Sequence, residues 1–487
     1  MDLRASARAC FSTSIVAFSG SAYAHAFAAP YALPVPLRLY TYGTTAALII
    51  SFIGFVAFAS NTRTVDTRNQ ISDESRQLTI RTKLGRYRSL FRFINAFILL
   101  TVILGGILGT QNAMLNFDMT WFWMIFYLAA YYAAALIGDF YSYGNPWLGC
   151  CDFIEKLTKI SFNGRRVYPN QFGCWPALAC YICLISMELF GSANPRQLSE
   201  FLIIYTLISI VGAWWFGKLA WFKFCDLFSI LFHLAGLIAP INVFFSKRNE
   251  MKLSFRIPTS GLRDMSDWGP SLMVFVLFML SSTAFDGIHD TIWWNRVYWG
   301  GFYPLIEPSV KAHFTDAYAV SSTIYRVSQW ILLVISPAIY LIAYLAALDF
   351  GRRLIKTSIS LKQLASDFSL TLVPIAFFYS VTHYYTVLFS QGPQIILLIS
   401  DPLGLHWNIF GTANFSVTSP VIDAGTIWLS QVALILIGHI ASVYLAHVKS
   451  LQVFSNRHEA VLSQIPMVGL MIFLTASGLW ILSLPLA

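Results

Sequence analysis

Charge is what this 487-residue chain has least of. Only 11% of its residues are Asp, Glu, Lys or Arg, against 57% hydrophobic, and the mean hydropathy is +0.62. That balance excludes a set of water-soluble domains and points to a polytopic membrane protein. Several catalytic signatures are missing as well. No glycine-rich phosphate loop, no GxSxG nucleophile elbow and no HExxH pair occurs, so the chemistries those motifs carry have no sequence basis here. Internal repeats and low-complexity tracts are absent too. Cysteine is scarce, with seven in all. Cys10 lies in the amino-terminal segment, while Cys150, Cys151, Cys174, Cys180, Cys183 and Cys225 map to the inner side or to the fourth apolar run, where thiols stay reduced. No structural disulfide is expected. Cys180 and Cys183 have CxxC spacing inside an apolar helix without a second pair, which reads as packing rather than redox or metal chemistry.

What the chain does have is apolar blocks near 20 residues long, the length a helix needs to cross hydrocarbon. Ten such runs fall at about 39–59, 93–110, 120–139, 174–191, 200–217, 270–287, 329–348, 369–390, 426–446 and 465–484. The predicted fold is therefore all-α: one polytopic helix bundle of ten spans over residues 25–487. A further apolar stretch, 220–245, is flanked by Lys218 and Lys223 at its start and by Lys247 and Arg248 after its end. A crossing would put one basic cluster outside, so it reads as a re-entrant or interfacial helix.

Residues 1–24 read as a signal peptide: Arg4 and Arg8, an apolar stretch from Ala9 to Phe18, and the small-x-small pattern Ala22-Tyr23-Ala24. Cleavage would leave His25 as the mature amino terminus; Ser12, Thr13 and Ser14 interrupt the apolar stretch and leave an uncleaved anchor as the alternative. With the amino terminus outside, the inner segments carry 25 Lys and Arg, the outer ones five (Arg38, Arg196, Arg296, Lys311 and Arg326), and the signal peptide the other two. This asymmetry follows the positive-inside rule, and it accounts for the net charge of +9 without nucleic acid. The expected location is a bacterial inner membrane, with both mature termini periplasmic and the lipid bilayer as the main partner.

Chemistry concentrates in Ser281 to Trp294, SSTAFDGIHDTIWW, where Asp286, His289 and Asp290 stand one helical turn apart before a Trp pair suited to a bilayer surface. His383 lies in the outer half of the eighth span, Asp401 and His406 in the following outer loop, and Gln431 and His439 on roughly one side of the ninth. Imidazole in hydrocarbon is costly unless it faces a partner inside the bundle, so His383 and His439 should point inward, and His383 against Asp286 is the sharpest contact expected. These residue types bind a divalent metal or shuttle protons. The candidate ligands are Asp286, His289, His383, His406 and His439, with His25 added as an amine-and-imidazole chelate for copper if the signal is cleaved. The plain alternative is that Asp286 and Asp290 cap a helix end and His383 bonds a Tyr or Ser. The connection from Trp294 to about Gln329 is long enough to form a lid, and Ser336-Pro337 predicts a kink in the seventh span.

The passages SAYAHAF (21–27) with LPVPL (33–37), SSTAFDGIHDT (281–291), VTHYYTVLFSQG (381–392), SDPLGLHWNIFGTANF (400–415) and QVALILIGHIASVYLAH (431–447) resemble the bacterial membrane proteins identified as fenitrothion hydrolases. The likeness runs from the signal peptide to the ninth span. It implies hydrolysis of a small apolar organophosphorus triester at an outer-face polar site, metal-assisted or not, with Asp286 and His383 as the catalytic candidates and a second, related membrane subunit as a partner. The alternatives from other classes are a permease or metal-handling protein using the same residues, and a non-catalytic subunit of a membrane complex.

Overall fold

The computed structural model describes residues 36–61, 80–82, 87–191, 194–245, 251–263, 269–417 and 422–485. The signal segment and His25 lie outside them. Ten described helices are long and apolar enough to cross a bilayer: Leu37–Ala57, Arg88–Leu108, Phe117–Ile137, Asn170–Phe190, Pro195–Phe216, Pro270–His289, Ala317–Leu354, Leu361–Leu398, Ala424–Val453 and Arg457–Leu482. They are called the first to tenth spans below, and each coincides with one of the ten apolar runs.

The sixth span is the axis of the bundle. It is buried over 89% of its apolar window and the eighth over 67%, the two highest shares of the ten, and it packs on the fourth, seventh, eighth and tenth spans. Lipid tails are as apolar as the helices, so close approach rather than hydrophobicity holds such bundles together. Gly287 shows how: a Cβ there would stand 2.7 Å from Ile481 Cγ2 of the tenth span. Gly438 likewise lets the ninth span settle on Phe378 and Pro374 of the eighth.

The second, third and fifth spans form the other half with two shorter helices, Pro146–Thr158 and Leu227–Ile238. Lys218–Phe224 and Leu227–Ile238 are bent by 64° at a short break. Contacts place that break deep in the bundle. The Tyr205 hydroxyl, near the midpoint of the 22-residue fifth span, donates to Asp226 at the break, whereas Gly236 reaches the backbone of Asp139 at the end of the third span. The chain therefore rises from Lys218 to Asp226 and descends again, the re-entrant one of the two forms expected for 220–245. Helix Pro146–Thr158 does the same, and this was not expected. Trp147 Nε1 donates to Thr206 Oγ1 at mid-span (2.9 Å), while Asp152 lies beside Lys218 at the span's end (2.8 Å).

Two further differences from the sequence expectation have simple causes. The connection after Trp294 is helical, through Ile292–Asn295, Arg296–Phe302 and Tyr303–His313. The seventh span starts at Ala317 rather than near 329, because Asp316 caps it through the Ala319 N–H at 3.0 Å. At 38 residues it stays helical through Pro337. A small antiparallel sheet, β1 (Ile80–Thr82), β2 (Ile241–Phe245) and β3 (Met251–Phe255) in the order β1-β3-β2, lies on the Lys218 side.

Candidate functional site

Asp286 is the seventeenth residue of the sixth span, and its carboxylate is 1% exposed. A buried carboxylate needs donors, and the eighth span supplies two from adjacent residues. His383 Nε2 lies 2.8 Å from Asp286 Oδ2, and the Tyr384 hydroxyl donates to the same oxygen at 2.6 Å. The contact expected between the sixth and eighth spans is therefore present, at the meeting of the two most enclosed spans. With Nε2–H turned to the carboxylate, His383 presents Nδ1 on its opposite edge. The Gly287 backbone faces that edge, since a Cβ at 287 would come within 3.8 Å of Nδ1. The His383 side chain keeps 17% exposure, so one edge of the pair is open.

His289 closes the carboxyl-terminal end of the sixth span. Its Nδ1 donates to the Asp286 carbonyl at 2.9 Å and stands 3.9 Å from Asp286 Oδ1, while Nε2 is 3.4 Å from Asp290 Oδ1. The ring stacks on Phe285 and meets Phe190 edge-on. Glu188 of the fourth span and Tyr127 of the third lie within electrostatic reach of the Tyr384 hydroxyl. Neither was singled out from the sequence, although Glu188 is the one acid in the apolar run Trp175–Phe190 and intramembrane acids are functional candidates by default.

The remaining candidates are elsewhere. His439 is buried, with Nδ1 donating to Ile435 O at 2.9 Å. Gln431, eight residues earlier, reaches the Thr382 carbonyl beside His383, so His439 sits about 12 Å of helix away from that level. His406 is exposed, with φ 61°, in a loop whose Asp401 carboxylate accepts the N–H groups of Leu405 and His406, each at 2.8 Å. That loop lies over the second span, its Pro402 carbonyl against Gly105. Asp401 is thus spent on shaping its own loop.

A metal would need three or four such groups around one point, with tetrahedral ligands about 2.0–2.2 Å from the ion. Asp286 and His383 instead touch each other directly, and His289 Nδ1 is turned to its own helix. Among the described residues no three His, Cys, Asp or Glu side chains are gathered as a ligand set. The arrangement fits proton transfer: a carboxylate that orients an imidazole, a tyrosine that fixes the carboxylate, and a second imidazole at the end of the sixth span.

A second polar centre lies at the apex of the two re-entrant helices. Asn145 caps Pro146–Thr158 through the Leu148 N–H, and Asp226 caps Leu227–Ile238 through the Ser229 N–H, each at 3.0 Å. The caps bond to each other, Asn145 Nδ2 to Asp226 Oδ2 at 3.0 Å. Tyr205 and Ser229 add their hydroxyls to the Asp226 carboxylate. The sequence drew no attention to Asp226.

Comparison with known proteins supplies no identity for either centre: no family model, no curated protein and no solved structure matches this chain.

Proposed function

We propose that this chain is a membrane-embedded hydrolase of small, uncharged, lipid-soluble phosphorus esters, with His383 as general base and Asp286 as the residue that orients it. The observation that carries the reading is the 2.8 Å contact between His383 and the buried Asp286 carboxylate, shared with Tyr384; the resemblance to fenitrothion hydrolases supplies the substrate class. His383 Nδ1 accepts a proton from water as the water oxygen attacks phosphorus. The phosphorus–aryloxide bond breaks, and the imidazolium returns its proton to the leaving oxygen. Asp286 stabilises the cation formed between those steps. No step runs through a metal. We further propose that the His289 end faces the periplasm, as the distribution of basic residues favours.

The test is release of nitrophenol from a dialkyl nitrophenyl phosphate by detergent-purified protein. Wild type should turn over, and His383→Asn and Asp286→Asn should each lose about 10²–10⁴-fold while still purifying as folded protein that unfolds cooperatively. Wild-type rates in both variants, or no turnover in any sample, would remove the hydrolase reading.

A permease is the second reading, favoured by the two re-entrant helices whose amino termini meet at mid-bilayer, the construction seen in transporters with broken helices. Here the helix ends are capped by Asn145 and Asp226 from the chain itself, which leaves transport to be tested by solute flux into proteoliposomes.

A further inference from the structure

Beside the re-entrant apex is a cavity of about 170 Å³ between the second and third spans and the two short helices. Rings of Trp121, Phe122, Phe126, Tyr141, Trp147 and Phe232 wall it, and among the described residues no Asp, Glu, Lys, Arg or His lines it. Its polar members are already engaged: Asn95 Nδ2 donates to Gly144 O at 2.6 Å, and Trp147 Nε1 to Thr206. One wall has an unusual origin. Trp121, Phe122, Ile125, Phe126 and Ala130 all belong to the π-helical stretch Thr120–Ala130 of the third span. π-helix is rare and gathers at functional sites, and here it brings five side chains onto one cavity.

We propose that this cavity is a binding site for an uncharged, single-ring aromatic molecule drawn from the bilayer. Size sets the upper limit, since an apolar protein cavity of about 150 Å³ holds benzene. The absence of charged lining residues excludes ions. The walls favour a ring over a lipid tail: Phe126 meets Trp147 at 6.0 Å and 64° and Phe232 at 5.7 Å and 34°, geometries in which an added ring finds both edges and faces. A flexible alkyl chain would lose rotational freedom for the same contact. The site stands apart from the Asp286 cluster, because Tyr132 on another side of the third span makes the contact with the eighth, through Ser380 O at 3.1 Å.

A phenyl diazirine photoprobe on the full chain in lipid nanodiscs tests this. Label should concentrate on Trp121–Ala130 and Trp147, fall at least fivefold with excess toluene but not with dodecane, and fall similarly in Ala130→Phe. Asp286→Asn should label as wild type. Label spread evenly over lipid-facing residues, or displaced as well by dodecane as by toluene, would overturn the proposal. Should Ala130→Phe fail to purify as folded protein, the toluene and dodecane competition on wild type decides alone.

Discussion

Asp286 accepts two hydrogen bonds on one oxygen, and each donor has a separable effect. Removing the Tyr384 hydroxyl takes one charge-assisted bond from the carboxylate, a contribution of about 1.5–3 kcal/mol. Tyr384→Phe should therefore lower turnover about tenfold or more and shift the melting temperature down, whereas His383→Asn, which removes the other donor and the base together, should remove turnover altogether and shift the melting temperature down as well. A Tyr384→Phe variant that matches wild type in both measurements would place the hydroxyl outside the machinery. Gly287 carries a steric argument instead. Its replacement by Ala sets a methyl against Ile481 at 2.7 Å, and overpacking of this kind costs about 1–3 kcal/mol; a lowered melting temperature in Gly287→Ala checks it. At this scale the sequence pointed to Asp286, His289 and His383, because imidazole and carboxylate are conspicuous in apolar runs. It did not point to Tyr384, one tyrosine among 23, because which of them faces Asp286 depends on how two spans are rotated against each other.

The re-entrant helices are decided at the scale of elements. The stretch 220–245 disclosed itself through its flanking lysines, which forbid a crossing. Pro146–Thr158 gave no such sign: with Asp152, Glu155 and Lys156 among 13 residues it looks like a solvated helix. Its charges are instead gathered at the Lys218 end, in contacts of Asp152 with Arg92 (2.9 Å) and Lys218 (2.8 Å), while Trp147 enters the bundle. The lock between the two helices is Asp226. Asp226→Ala would strip an acceptor from Tyr205, Ser229 and Asn145 inside the bundle. At about 1–3 kcal/mol per unsatisfied group, the loss should exceed about 3 kcal/mol and show as poor extraction or a collapsed melting temperature. Normal stability in that variant would mean that the apex is not what holds the pair.

For the whole molecule, orientation is the quantity to measure. Asp316 and Asn163 are exposed and lie at opposite ends of the bundle, one after the sixth span and the other before the fourth. In a chain otherwise stripped of reactive thiols, Asp316→Cys should react with an impermeant maleimide in intact cells and Asn163→Cys only after permeabilisation. The reverse pattern would move the Asp286 cluster to the cytoplasmic side.

The ten crossings and the sense of the basic asymmetry were determined by the sequence alone, which for 220–245 excluded a simple crossing and left a re-entrant or an interfacial helix. Span length and loop charge are local properties, set by the thickness of hydrocarbon and the cost of moving cations through it. The tertiary structure alone decided which polar groups meet. It joined Asp286 to His383 and Tyr384, left His406 and His439 outside that cluster, drew Asn145 and Asp226 together, and opened the aromatic cavity on the π-helical wall. Those outcomes depend on the rotation and depth of helices that are apolar on nearly every side, and hydropathy carries no information about either.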